Sequence, residues 1–366
     1  VIVLVNMPPQ RSLYEALKTR PSVFDPSEIM DQFAKIDKKR VNDIARVIGR
    51  YIEINLPGAF CKRNELCDYR TNPYVLMTTA NIMDLSDPNR FADFLFNSKL
   101  FMALETSFGK SIESSFLNPY PVISTNKWTD PSEKIAEHKA LEGLSRQAKA
   151  QKRVNSVWRE IDKSVSIGSR RYLVSIKSGP NTINDTQVQA MTDAIKHRHQ
   201  TWLAQTKASD NSINEIDIVI GLTYGTDKTT NNKENQILAK LLDNGFIEEN
   251  RNQCPGVIID EETQSVRVYR LIGRNFWAFI GNPQEPKVTD FIYLEILLGL
   301  AKALSQGIES GNIEDRINDR ICKLATALSR LQLPKNSLPD WVTDDFSESE
   351  LFWFTTAMTA FFDEGI

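Results

Sequence analysis

WREIDKSVSIGSRRYLVSIKSGPNTINDTQ, residues Trp158 to Gln187, is the stretch whose reading decides the fold. VWREIDKSV and RRYLVSIKS carry the apolar and β-branched content of strands, and Ile167-Gly168-Ser169 has turn chemistry between them. Two strands joined by so short a turn form a hairpin. Side chains two apart on a strand share a face, so Glu160 goes with Asp162, and Ser175 with Lys177. A hairpin brings these four polar groups to one edge of a sheet. Ser178-Gly179-Pro180 marks a tight turn, and Asn184 or Asp185 then caps a helix, TQVQAMTDAIKHRHQTWLAQ.

Working outward, the next apolar run, EIDIVIGLTYG, reads as a strand buried on both faces. KENQILAKLLDNGF is a helix with a glycine stop at Gly245. SVRVYRLIGRNFWAFIG supplies one or two further strands. EKIAEHKALEGLSRQAKAQKRVNSVW reads as one helix rich in Lys, Arg and Gln. Residues 1–100 and everything from Thr289 onward have mainly helical periodicity, with Ser27 as an N-cap and the turn Asn118-Pro119-Tyr120-Pro121 closing the helix that starts near Asp87. The expected fold class is α/β (α+β), a mixed central sheet flanked by helices with largely helical N- and C-terminal parts. The expected division is a helical region 1–100, a core 101–288 with the sheet, and a helical region 289–366.

Carboxylates with open coordination positions suit a hard divalent cation such as Mg²⁺. A cation there polarises a phosphoryl oxygen and lowers the pKa of bound water. A lysine beside it orients that water or offsets transition-state charge. The competing reading of Glu160 and Asp162 is an exposed strand end partnered by Arg159 or Lys163.

Asp162, the thirteen-residue spacing to Ser175, Lys177 two further on, the SGPNTIND turn and the Gln-rich helix together resemble the PD-(D/E)xK nuclease superfamily, and within it the type II restriction endonucleases. The resemblance covers roughly residues 105–225. It implies a restriction-endonuclease-like sheet, a double-stranded DNA substrate, Mg²⁺ as cofactor and a homodimer. By resemblance Asp162 is the central metal ligand and Lys177 the catalytic lysine. The family pattern has a carboxylate where this chain has Ser175. Glu113, Glu160 and Asp185 are the substitutes, with Glu113 and Glu160 favoured, and Glu105 is a second upstream acid. The candidate catalytic set is therefore Asp162, Lys177, Glu113, Glu160 and Ser175, and the candidate metal ligands are Asp162, Glu113 and Glu160.

The chain has 366 residues, a formal net charge of −3, and 41% hydrophobic against 25% charged residues, an ordinary globular balance. Charge is unevenly placed. From Lys139 to Lys177 ten basic residues face three acidic ones, whereas from Asn336 onward there are seven acidic residues and no Lys or Arg. The basic block suits a phosphate backbone, and Lys149, Lys152, Arg153, Asn181, Thr182 and Gln187 are the candidate DNA contacts. The polar stretch YGTDKTTNNK after Thr223 is a loop that reads base edges or lies plainly on the surface. Cys61, Cys67, Cys254 and Cys322 form no CxxC pair and lie apart from His138, His197 and His199, so a structural zinc site is not expected. Scattered cysteines, no legible secretory signal and no run of about 18 or more apolar residues give the expectation of a cytoplasmic prokaryotic protein off the membrane. The leading function is sequence-specific DNA cleavage leaving 5′-phosphate ends. A repair or recombination nuclease on the same core, or a non-catalytic DNA-binding protein on a degenerate core, are the alternatives.

Overall fold

The structure is a computed structural model that describes residues 31–61, 69, 72–112, 127–179, 182–226, 233–251, 254–258, 265–307, 312–331 and 338–361. Glu113, Asn181 and the loop 227–232 lie outside these residues, as does the expected cap Ser27.

Its centre is a six-stranded mixed sheet. β1 (Lys163–Ile167) and β2 (Arg170–Lys177) form the expected antiparallel hairpin, turning at Gly168 with φ 59°, a left-handed backbone that glycine adopts without strain. β2 pairs in parallel with β3 (Glu215–Leu222), and β3 in parallel with β6 (Val266–Ile272). The antiparallel pair β5 (Cys254–Ile258) and β4 (Ile247–Arg251) extends the sheet beyond β6. The mixed α/β class expected from the sequence is what the structure has.

Strand alternation divides the core. Tyr172, Val174 and Ile176 of β2 point into one cluster, with Phe276, Trp277, Phe279 and Ile280 of α8 (Arg274–Gly281), Ile292 and Ile296 of α9 (Ile292–Gly307), and Ile44 and Ile48 of α1 (Lys38–Cys61). Leu173 points to the other side, with Ile216, Ile218, Ile220 and Leu222 of β3. That side is covered by α6 (Asp185–Ser209) and α7 (Lys233–Leu242) through Val188, Met191, Ile195, Trp202, Ile237 and Leu241. β3 is thus buried on both faces, with Val219 in the first cluster and Asp217 a buried charge in the same strand.

Two helices tie the chain ends to this core. Glu295 of α9 has no exposed surface and accepts hydrogen bonds from Arg40 of α1, at 2.9 and 3.0 Å, and from the Asp37 N–H at 2.8 Å. A separate cluster joins Leu76 of α2 (Pro73–Ile82) and Phe91, Leu95 and Phe96 of α3 (Pro88–Ser111) to Leu324 and Leu328 of α10 (Asn312–Leu328) and to Phe352 and Trp353 of α11 (Glu348–Phe361).

Four local readings are corrected. The first strand starts only at Lys163, with residues 157–160 in a turn, so Glu160 and Asp162 do not share a face of that strand. The basic stretch is two helices, α4 (Ser132–Lys139) and α5 (Arg146–Val154), because Gly143 at φ 85° breaks the run between them. The run RNFWAFIG is helical (α8). A short apolar run does not distinguish a strand from a fully buried helix, and Gly273 (φ 53°) makes the turn into it. Strands β4 and β5 were not legible, being short, charged at Glu248, Glu249 and Arg251, and interrupted by Pro255.

Candidate active site

Lys163 begins the β1 ladder opposite Val174, yet the N–H of Asp162 also donates to the Val174 carbonyl, at 2.8 Å. Two successive residues therefore face one, as in a β-bulge, a device that re-aims side chains. The effect is local and specific. The Asp162 carboxylate turns back onto β2, where Oδ2 accepts the Ile176 N–H at 2.7 Å. That puts the carboxylate on the Ser175–Ile176 peptide, one residue before Lys177. Asp162 is 9% exposed.

A third element reaches the same place. Lys134 of α4 donates from Nζ to the Ile161 carbonyl at 2.6 Å and lies 3.7 Å from Asp162 Oδ1. Its neighbour Glu133 anchors α4 by a part-buried ion pair with Arg171 of β2, at 2.7 and 2.9 Å. Burial pushes the Glu133 carboxyl up, but the Arg171 hydrogen bond and charge outweigh it and hold the group below the usual range. The sequence carries no sign of Lys134, which sits in an ordinary charged helix and reaches the hairpin only through tertiary packing.

Glu160 is half-buried and pairs with Arg159 at 3.5 Å. Lys177 ends β2, half-buried, and its carbonyl accepts the Thr223 N–H at 3.0 Å. Ser175 is completely buried, and its hydroxyl has no hydrogen-bond partner. Asp185 is paired with Lys233 of α7, whose hydrogen bond and charge lower its pKa.

The carboxyl end of β2 is closed by the segment after β3. The Thr223 hydroxyl donates to the Ser178 carbonyl at 2.7 Å, and Trp277 Nε1 donates to the Thr223 carbonyl at 2.8 Å. The Tyr224 ring lies over Gly179, where a Cβ would stand 2.1 Å from Tyr224 Cζ. Tyr224 hydrogen-bonds Glu105 of α3, and burial together with that carboxylate raises the phenol above its ordinary value. One turn further along α3, Gly109 packs on Ser178. Glu105 thus stands at this end of the sheet.

Of the candidate DNA contacts, Lys149, Lys152 and Arg153 lie on α5, which has no buried residue. The Thr182 hydroxyl is turned onto the Gly179 backbone, accepting at 3.2 Å and donating at 2.5 Å. Gln187 accepts the Asn184 N–H at 2.9 Å while the Asn184 side chain accepts the Gln187 N–H at 2.9 Å, a capping box that starts α6.

The donors at the hairpin are carboxylate oxygens, the chemistry Mg²⁺ prefers. Mg²⁺ is commonly held by one or two carboxylates completed by substrate phosphate and water. Among the described residues no three His, Cys, Asp or Glu side chains are grouped so as to hold a metal ion. Asp162 supplies one carboxylate at the hairpin, and Glu160 precedes it by two residues in the chain. No helix among the described residues is long and apolar enough to cross a membrane.

Residues 133–303 match the family model described as Type II restriction endonuclease EcoO109I. The matched segment is just under half of the chain and runs from α4 through α9, including Lys134, Asp162 and Lys177. This match bears out the resemblance drawn from the hairpin. No curated protein matches the chain.

Proposed function

We propose, on the premise that this chain is of the type II restriction endonuclease kind its residues 133–303 match, that it is a sequence-specific DNA endonuclease hydrolysing phosphodiesters with Mg²⁺ and leaving 5′-phosphate ends. The observation that carries this reading is the bulged Asp162. Its carboxylate is turned onto the Ile176 N–H, one residue before Lys177.

In this reading Asp162 and Glu160 hold the cation, with Glu113 as a further ligand. Bound there, Mg²⁺ supplies a Lewis acid for the phosphoryl oxygen and a water of lowered pKa. Lys177 orients the attacking water and offsets the charge that builds on the phosphorus centre. Ser175 touches none of this chemistry; it fills a small buried space where relatives of this pattern carry an acid. The α5 cations Lys149, Lys152 and Arg153 bind the phosphate backbone, and Asn181, Thr182 and Gln187 are the further DNA contacts. A homodimer matches a two-fold DNA site to a two-fold protein. The division into an N-terminal region 1–100, a nuclease core 101–288 and a C-terminal region 289–366, and a cytoplasmic prokaryotic setting, belong to the same proposal.

A second reading, a DNA-binding protein without catalysis, is favoured by Ser175 in the acid's position and by the absence of a grouped third acid among the described residues. One experiment separates the two. Supercoiled plasmid is incubated with the protein in Mg²⁺, in Mn²⁺ and in EDTA, and the ends are sequenced. Discrete fragments with 5′-phosphates in the metal arms alone support the endonuclease. Retarded but uncut plasmid in both metals supports the second reading.

A further inference from the structure

We propose that Lys134 sets the metal affinity of the site low in the free protein, so that metal binding depends on a bound phosphodiester. The inference rests on the nuclease reading above and deepens it. It starts from charge and distance. The Lys134 ammonium is 3.7 Å from Asp162 Oδ1, and the two side chains are 17% and 9% exposed, so water screens the pair only in part. A divalent cation approaching Oδ1 meets that ammonium. At such separations the repulsion corresponds to on the order of tenfold in affinity even with strong screening.

The lysine is not free to swing away. Its ammonium is also bonded to the Ile161 carbonyl, and the helix turn that carries it is anchored by the Glu133–Arg171 pair. Relief comes instead from the substrate. A phosphodiester brings negative charge next to both the ammonium and the cation, and it brings the oxygen ligands that one or two carboxylates leave wanting. Metal and DNA therefore bind cooperatively, each paying part of the electrostatic cost of the other.

Removing the lysine does not misplace Asp162, because Oδ2 stays bonded to the Ile176 N–H and the Asp162 N–H to the Val174 carbonyl. The test is calorimetric titration of Mn²⁺ into the metal-free protein without DNA, with a thermal melt of each variant as the folding control. Lys134→Met should bind Mn²⁺ about tenfold more tightly than the unmodified protein. Lys134→Arg, which keeps the charge, should bind as the unmodified protein does. Lys134→Gln, which keeps a donor for the Ile161 carbonyl, should follow Lys134→Met and stands in for it if that variant melts early. Adding Asp162→Asn to Lys134→Gln should abolish the gain. Unchanged or weaker Mn²⁺ binding by folded Lys134→Gln overturns the proposal, whether or not the protein cuts DNA. Tighter binding in a protein that leaves plasmid intact sustains the role of Lys134 and removes the nuclease reading instead.

Discussion

Ser175 is where the chain departs from the pattern it otherwise follows, and the structure gives it a packing account. It faces the apolar side of β2 beside Leu173, fully enclosed, with an unpartnered hydroxyl. A buried hydroxyl without a partner costs roughly 1–3 kcal/mol of desolvation. Ser175→Ala should therefore leave DNA cleavage within a few-fold and raise stability by about 1 kcal/mol, read from the urea midpoint. A cleavage loss of a hundredfold in a folded Ser175→Ala protein would put the hydroxyl in the chemistry. The pairing of Asp162 with the strand of Lys177 was legible from spacing alone. The bulge that aims the carboxylate was not, since nothing in EIDKSV marks which residue doubles up. Lys134 was invisible for the same reason: its partner is 27 residues away in sequence.

At the scale of elements, α5 is the clearest case of a helix that packing does not explain. It has no fully buried residue, carries Arg146, Lys149, Lys152 and Arg153, and has no acid in its first turn. Ser145 caps it by accepting the Ala148 N–H at 3.3 Å. A helix with no fully buried residue gains little from the fold, so a polar partner is the better account of its basic composition. Replacing Lys149, Lys152 and Arg153 together by Ala should weaken DNA binding across all sequences. Each lost phosphate contact should flatten the slope of log affinity against log salt by about 0.9. An unchanged slope would assign α5 to plain solvent. The hairpin, β3, α6 and α7 were legible because their periodicity and turn residues agree. The α4–α5 break and helix α8 were not, since one depended on a left-handed glycine and the other on burial from every side.

At the scale of the whole molecule, the buried charges set how stability responds to pH. Glu133 is held below its ordinary value of 4.5. Such a carboxylate contributes stability that is fully present above the unfolded pKa and is lost as pH falls through the folded one. Asp217 acts with the opposite sign. Burial raises it against the charges of Arg170 and Arg267, so its contribution becomes more favourable as pH falls towards the unfolded value. The difference between the unmodified protein and Glu133→Gln isolates the first effect. Their urea midpoints should stand apart at neutral pH, with the variant lower, and converge as pH is taken below about 4.3. A constant gap down to strong acid would mean that folding does not lower the Glu133 pKa. The mixed sheet was legible as a class, but the sharing of one core by helices from both ends of the chain was not. Long-range helix pairing leaves no periodic trace.

Cleavage by two variants tests the central claim most directly. Asp162→Ala and Lys177→Ala are compared with the unmodified protein under single-turnover conditions in Mg²⁺, with DNA binding measured in parallel in EDTA. The account predicts no detectable cutting by Asp162→Ala, a loss of orders of magnitude for Lys177→Ala, and DNA binding retained by both. Near-normal cutting by either folded variant would contradict it.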